Sequence, residues 1–322
     1  MVVYIIVNDE LKGSFMTKVF IDGSAGTTGL RIRERLAGRK DIELLILPEE
    51  TRKDPAARAD ALNTAALSFL CLPDAAAIEA ASFVTDPEAV IIDTSTAHRV
   101  SEGWVYGMPE LAGQREKLKS ARRIANPGCH ATGFISLIAP LAEAGLIRPD
   151  ARLSCFSLTG YSGGGKKMIA EYEAADRDPL YQAPRQYGLG QGHKHLPEMA
   201  KVCGLEHAPV FCPVVAPYYA GMEVTVPLTP AETSASPEAI KEVYRAYYRD
   251  GMIRFAEAPD ENGFLSAGRL SGRDDLEVSV FGNEERMLLV SRFDNLGKGA
   301  SGAAIQNMNI ALGLDETEGL VY

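Results

Sequence analysis

The chain has 322 residues, 46% of them hydrophobic and 24% charged, and carries a formal net charge of −10. That length favours two hydrophobic cores over one. The acidic balance excludes a polyanion as the main partner, because phosphate-backbone affinity comes from clustered Lys and Arg, so no nucleic acid is expected.

Residues 2–7 form a short apolar run, without a basic segment before it or a small-residue cleavage site after it, so no signal peptide is read. Residues 1–15 are expected to be an extension outside the fold. No stretch approaches the roughly 20 apolar residues that span a bilayer, so no membrane is expected either. From residue 18 onward, apolar runs alternate with helical stretches. "KVFIDG" reads as a strand, residues 28–37 as a surface helix, and "IELLILP" (42–48) and "LSFLCLP" (67–73) as strands. "DAAAIEAASFV" (74–84) reads as a helix capped by Asp74, and "AVIIDTS" (89–95) as a further strand. Strands apolar throughout are covered on both faces, and their alternation with helices predicts an α/β domain with a doubly wound parallel sheet of Rossmann type.

After "RRIANPG" the texture changes. Phe134, Leu137, Ile138 and Leu141 fall at i, i+3, i+4 and i+7, an amphipathic helix that stops at Gly145. Strands of alternating or β-branched character follow: "ARLSCFSL", "PVFCPVVA", "MEVTVPL", "LEVSVF" and "RMLLVSRF", the last two joined across Gly282-Asn283. Ser236 and Pro237 open one more helix, with Ile240, Val243, Tyr244 and Tyr247 on one face. These residues predict an α+β second domain with a mostly antiparallel sheet. The last stretch, "GKGASGAAIQNMNIALGL", is a helix rich in small residues that can return to the first domain.

Three places carry chemistry. "FIDGSAGTTGLRIRERL" sets Gly23, Gly26 and Gly29, with Thr27, between a strand and a helix. Glycines let the backbone approach a pyrophosphate, and the helix N-terminus faces it with unpaired N–H groups. The spacing is G-x-x-G-x-x-G, not the standard G-x-G-x-x-G. After the next strand, "LPEETRKDP" offers Glu49 and Glu50 for a ribose hydroxyl, but Arg52 and Lys53 for a 2′-phosphate, and NADP is the favoured cofactor. "SLTGYSGGGKKM" (157–168) supplies Ser162, three glycines and Lys166, an anion cradle for a phosphorylated substrate.

The third place is "ANPGCHATG" (125–133). The five cysteines (71, 129, 155, 203 and 212) are an odd set without C-x-x-C spacing, which suits a reducing cytosol better than disulfides or zinc. Four of them read as packing residues. Cys129 alone stands between a Pro-Gly corner and a helix start, where dipole and amides stabilise a thiolate and can hold an oxyanion. A cysteine nucleophile needs an acid/base partner. "GQGHKHLPEMA" (190–200) offers His193 and His195 in a polar loop, with no third ligand nearby to make a metal site. His130 is adjacent to Cys129, where a helix directs its side chain elsewhere.

Together, "GSAGTTG", "DTSTAHR" (93–99), "YGMPEL" (106–111), "NPGCHATG", "GYSGGGKK", "HKHLPE" and "DNLGKGASGAAIQNMNIALGL" resemble the short-form N-acetyl-γ-glutamyl-phosphate reductases of arginine biosynthesis, over residues 17–314. The resemblance implies an NADP-binding Rossmann domain over 17–127 completed by a C-terminal helix over 296–322, with a catalytic domain over 128–295. It implies that Cys129 attacks an acyl phosphate, that NADPH reduces the thioacyl enzyme, and that His195 is the acid/base, with His193 as substrate contact or alternate base. Arg99 matches a position that pairs with substrate carboxylate or phosphate. Asn295, Gly297 and Lys298 match the segment near the nicotinamide. A cytoplasmic dimer or tetramer is implied as well. The chain departs from the family at His130, where an aromatic side chain is common; a charged His130 favours thiolate. Aspartate-semialdehyde dehydrogenase is the nearest alternative, and a non-catalytic nicotinamide-binding protein or a Cys/His peptidase are others.

Overall fold

The computed structural model describes residues 4–7 and 16–322. They divide into two compact units, one running to Pro127 and including Ala300–Leu320, the other comprising Gly128–Gly299 and Val321–Tyr322.

The first unit is built on seven strands: β1 (Ile5–Val7), β2 (Thr17–Asp22), β3 (Ile42–Ile46), β4 (Leu67–Leu70), β5 (Val90–Asp93), β6 (Val105–Tyr106) and β7 (Arg123–Ala125). Their order is β1-β3-β2-β4-β5-β7-β6, parallel throughout except for β1. Strand β2 pairs with β3 and β4, placing Val19 against both Leu44 and Leu67. β1 corrects the expectation for residues 1–15: Ile5 pairs with Ile46 and Val7 with Leu44, so part of this segment adds an antiparallel edge strand. Residues 1–3 and 8–15 lie outside the described residues.

Helices cover both faces, as all-apolar strands require. On one face α1 (Thr27–Leu36), α4 (Gln114–Ser120) and α9 (Gly302–Ala311) bury Ile32, Leu36, Leu118, Ala304, Ile305 and Met308 against the sheet. On the other, α2 (Pro55–Thr64) and α3 (Asp74–Ser82) bury Ala57, Ala61, Leu62, Ala77 and Ala80. The sequence reading missed α2, whose small residues carry no apolar stripe. Its usable signal is Asp54-Pro55: the Asp54 carboxylate accepts from Ala57 N, and proline takes the first helical position. Asp74 is not the cap of α3. Pro73 holds that position, and the Asp74 carboxylate accepts from Thr96 instead.

The second unit carries β8 (Ser154–Gly160), β9 (Arg185–Gln186), β10 (Val210–Ala216), β11 (Met222–Leu228), β12 (Ile253–Phe255), β13 (Leu276–Asn283) and β14 (Arg286–Phe293). The order is β12-β13-β14-β11-β8-β10-β9, antiparallel except for the β8–β10 and β12–β13 pairs. The β13–β14 turn falls one step later than expected. Asn283 pairs with Arg286 and its side chain accepts from both Glu285 N and Arg286 N, so Glu284 and Glu285 make the turn while Gly282 stays in the ladder.

One face of this sheet is covered by α5 (Cys129–Glu143), with α7 (Leu196–Val202) and α8 (Pro237–Tyr247) packed on it. Gly133 lets α5 approach the sheet: a Cβ there would stand 2.4 Å from Val224 Cγ2. Pro140 has no N–H for the carbonyl of Ser136, and the Tyr248 hydroxyl donates to that carbonyl at 2.7 Å. The other face leaves Val210, Phe156 and Leu288 exposed.

Candidate functional site

The glycine loop follows β2 directly. Gly23 adopts φ +87°, and a Cβ on it would stand 2.2 Å from the carbonyl oxygen of Cys71. A Cβ on Gly29 would meet Gly23 O at 2.4 Å. Both positions admit only glycine, so the loop lies tight between the end of β4 and the start of α1. Gly26 is the N-cap of α1 and offers no side-chain cap, and Thr27 Oγ1 is buried without a hydrogen-bond partner. Beside the loop is a cavity of ≈ 210 Å³, lined by Asp22, Gly23, Ser24, Arg52, Lys53 and Arg58 among others. Arg58 donates to Asp22 (2.9 Å) and Glu79 (2.9 Å), and burial raises the Asp22 carboxyl against the pull of that guanidinium. Arg52 pairs with Glu49 at 2.6 Å while its Nε is buried without a partner. Unused amides at a helix start, a cradle closed to any Cβ, and orphaned polar atoms on Thr27 and Arg52 fit a dinucleotide phosphate group.

Arg99 also belongs to the first unit. Its guanidinium donates from Nε to Asn126 O (2.9 Å) and from Nη2 to Thr94 O (3.2 Å). Beside it, the His98 ring stacks on Trp104 and its Nδ1 lies 2.6 Å from the buried carboxylate of Asp93.

In the second unit Cys129 is the first residue of α5, after the N-cap Gly128. Asn126-Pro127-Gly128 cannot be helical up to the proline, so the thiol stands at the head of the helix, where the dipole favours negative charge. The amide of Gly128 donates to Glu198 Oε2 at 3.2 Å, which ties α7 to this point. His195 is the N-cap of α7, and His193 precedes it by two residues, its Nδ1 accepting from His195 N at 3.2 Å. The rings of His193 and His195 meet at 4.8 Å, and both pack on His130, at 5.6 Å and 5.5 Å.

His130 does not point away from this group, as the helical position suggested. It is 3% exposed, and burial together with neighbouring His193 pushes its pKa down to about 3. The expectation of a charged His130 therefore fails, and the ring is neutral. Its Nδ1 meets Ser157 Oγ and its Nε2 the Tyr187 hydroxyl, both at 2.7 Å.

A single π-helical turn, Gly297–Ser301, leads into α9. A Cβ on Gly299 would stand 3.0 Å from Cys129 Cβ, and one on Gly297 would stand 2.0 Å from Arg273 O. Asn295 donates to Ser162 Oγ (3.0 Å) and accepts from Gly221 N (2.9 Å), so two residues read separately from the sequence hold each other. Lys298 is buried, and Lys166 stands exposed in the first turn of α6 (Gly165–Glu173). The structure thus brings Cys129, His193 and His195 into one unit with Ser162, Lys166, Asn295, Gly297 and Lys298. Gly23, Gly26, Thr27, Gly29, Arg52 and Arg99 belong to the other.

Sequence reasoning missed Glu198, Tyr187 and Arg58. A charged residue two positions after a loop ending in His-Leu was a usable signal for Glu198; Tyr187 lies in a short strand region without apolar periodicity and had none. A larger cavity of ≈ 470 Å³ in the second unit is lined by Arg254, Arg269, Arg273 and Arg292, but carboxylates of Asp275, Glu277 and Glu261 pair with all four. It is a self-neutralised network.

Two family models match the chain: the NAD binding domain of semialdehyde dehydrogenase over residues 18–121, and its dimerisation domain over 129–295. The N-acetyl-gamma-glutamyl-phosphate reductase of Brucella ovis is 46% identical over 308 residues, covering 92% of this chain and 99% of its own. That of Burkholderia cenocepacia is 45% identical over 311 residues, covering 93% and 98%. Among solved structures, aspartate semialdehyde dehydrogenase II of Vibrio cholerae complexed with ASA superposes with a TM-score of 0.70 at 16% identity, over 93% of this chain and 99% of that one. Aspartate semialdehyde dehydrogenase of Candida albicans with NADP gives 0.63 at 16% identity, over 92% and 98%. These likenesses carry the fold, and the reductase relatives carry the family: the chain belongs to the N-acetyl-gamma-glutamyl-phosphate reductases, within the semialdehyde dehydrogenases.

Proposed function

We propose that the chain reduces N-acetyl-γ-glutamyl phosphate to N-acetylglutamate semialdehyde with release of phosphate, using NADPH and a thioacyl intermediate on Cys129. The observation that carries this reading is Cys129 at the head of α5, with the His193–His195 segment fastened to the same point through Glu198 and Gly128. His195 takes the thiol proton as sulfur attacks the acyl carbonyl. The C–S bond forms, the C–O bond to phosphorus breaks, and the proton leaves with phosphate. A reduced nicotinamide held at the glycine loop would supply the hydride that the thioester carbonyl takes up. The C–S bond of the hemithioacetal anion then breaks, the aldehyde leaves, and Cys129 departs as thiolate, which regains its proton from solvent through His195. Amides at the start of α5 face the developing oxyanion. His193, in contact with His195, is the alternate base, and Arg99, Ser162 and Lys166 are the proposed substrate contacts.

Gly23, Gly26, Thr27 and Gly29 hold the pyrophosphate in this reading, with Asn295, Gly297 and Lys298 toward the nicotinamide. NADP is favoured over NAD because Arg52 and Lys53 line the cavity beside the loop, while Glu49 is spent on Arg52. A second copy of the chain is placed on the open sheet face that carries Phe156, Val210 and Leu288, in keeping with the name of the matched dimerisation model.

The test is phosphate-dependent reduction of NADP, assayed with N-acetylglutamate semialdehyde and with aspartate semialdehyde, and repeated with NAD. The expected result is a kcat/KM preference of roughly 100-fold for the acetylated compound, the size of discrimination a group-specific pocket supplies. Preference for the free-amine compound contradicts the substrate, and faster turnover with NAD contradicts the cofactor.

A further inference from the structure

Ser157, His130 and Tyr187 form a hydrogen-bonded row inside the second unit, centred on the residue that follows Cys129. Ser157 lies on β8 and is fully buried; its Oγ stands 2.7 Å from His130 Nδ1. His130 Nε2 stands 2.7 Å from the Tyr187 hydroxyl. Among the described residues these are the only hydrogen bonds that the three side chains make. Phe211 and His193 pack edge-on against the imidazole, at 5.3 Å and 5.6 Å, and hold its plane.

We propose that Tyr187 is a further catalytic hydrogen-bond donor at Cys129, and that Ser157 and His130 are positioning residues that turn its phenolic proton toward the reacting atoms. This rests on the reading of Cys129 as nucleophile.

A neutral imidazole carries one N–H and one lone pair, so the row has two arrangements. In the first, Ser157 donates to Nδ1, and Nε2–H donates to the phenol oxygen. Every buried polar atom of Ser157 and His130 is then satisfied, and the Tyr187 proton points away from His130. In the second, Nδ1–H donates to Ser157 and the Tyr187 hydroxyl donates to Nε2. The Ser157 proton, fully buried, then has no acceptor, which costs about 1–3 kcal/mol. The first arrangement prevails. It leaves the half-buried Tyr187 with a proton to give away from His130, within the cluster where its ring also meets His193 at 5.7 Å. Burial and the charge of Cys129 raise the Tyr187 pKa, so the phenol stays protonated and serves as a donor, not a base. Its hydrogen bond strengthens as charge builds on sulfur and on the carbonyl oxygen, and no proton need be transferred.

The tautomer of His130 is directly readable by ¹⁵N–¹H NMR of histidine-labelled protein. The Nε2–H form is expected in the wild type. In Ser157→Ala, which removes one oxygen from a buried site, Nδ1 has no partner in either form; the preference for Nε2–H is lost and a mixture of the two tautomers is expected. Tyr187→Phe should lower kcat roughly 100- to 1,000-fold, the range of a lost oxyanion donor, with the cofactor KM unchanged. Ser157→Ala should lower kcat in the same direction, and the double variant should be no slower than Tyr187→Phe alone. An Nδ1–H tautomer in the wild type, or single effects that multiply in the double variant, overturns the proposal. The tautomer is read without turnover, so failure of the Cys129 reading, seen as full activity of Cys129→Ser, remains a separate result.

Discussion

Five thiols share this chain, and burial separates their chemistry. It pushes Cys71 up to about 12 and raises Cys155 and Cys203 as well, so these remain neutral packing groups. Cys129 is only partly buried and heads a fifteen-residue helix. Position, not residue type, sets it apart, and the Pro-Gly corner before it makes that position legible in the sequence. His130 was not legible. Helical geometry alone turns it from Cys129, yet α5 begins so abruptly that the second residue still faces the loop carrying His193 and His195. Its low pKa has a consequence for stability. The unfolded chain takes up a proton near pH 6.5, while the folded chain holds His130 neutral down to about 3. The stability it contributes is therefore full above pH 6.5 and is lost as pH falls from 6.5 toward 3, by up to about 1.4 kcal/mol per pH unit. In urea unfolding at pH 7 and pH 5, the loss should be smaller in His130→Gln than in the wild type by about 2 kcal/mol. Equal losses in both proteins would show that His130 titrates normally.

At the scale of elements, strands and long helices follow from apolar patterning, whereas short or small-residue elements do not. The spacing of Phe134, Leu137, Ile138 and Leu141 marks α5, and the left-handed Gly145 just past its end confirms the stop. α2 and α4 lack such a stripe, and the β13–β14 turn was misplaced because Gly282 suggested a turn where it serves the ladder. The second sheet also leaves one face open. Phe156, Val210 and Leu288 lie on β8, β10 and β14, on the side away from α5, and alternate with fully buried neighbours. In the proposed reading, this exposed apolar area is where a second copy of the chain sits. Leu288→Glu with Phe156→Glu should convert the protein from a dimer or larger assembly to a monomer in sedimentation velocity, with the fold intact by circular dichroism. A wild-type protein already monomeric at micromolar concentration would refute this use of the face.

At the scale of the molecule, motifs spread from residue 17 to 314 make the fold class and family readable, because each motif is a local solution to a backbone problem. The site is different. Glu198 reaches Gly128 across 70 positions, and Tyr187 reaches His130 across 57. Partners so distant leave no trace in local spacing, so the residues that hold the start of α5 emerged only with the fold. Among the described residues no helix is long and apolar enough to cross a membrane. The central claim is covalent chemistry at one sulfur, and mass spectrometry of the protein mixed with N-acetyl-γ-glutamyl phosphate, without any nicotinamide, tests it most directly. The account predicts an N-acetylglutamyl adduct on the peptide that carries Cys129, with one phosphate released per adduct. Turnover with NADPH but no acyl group on Cys129 under these conditions would contradict it.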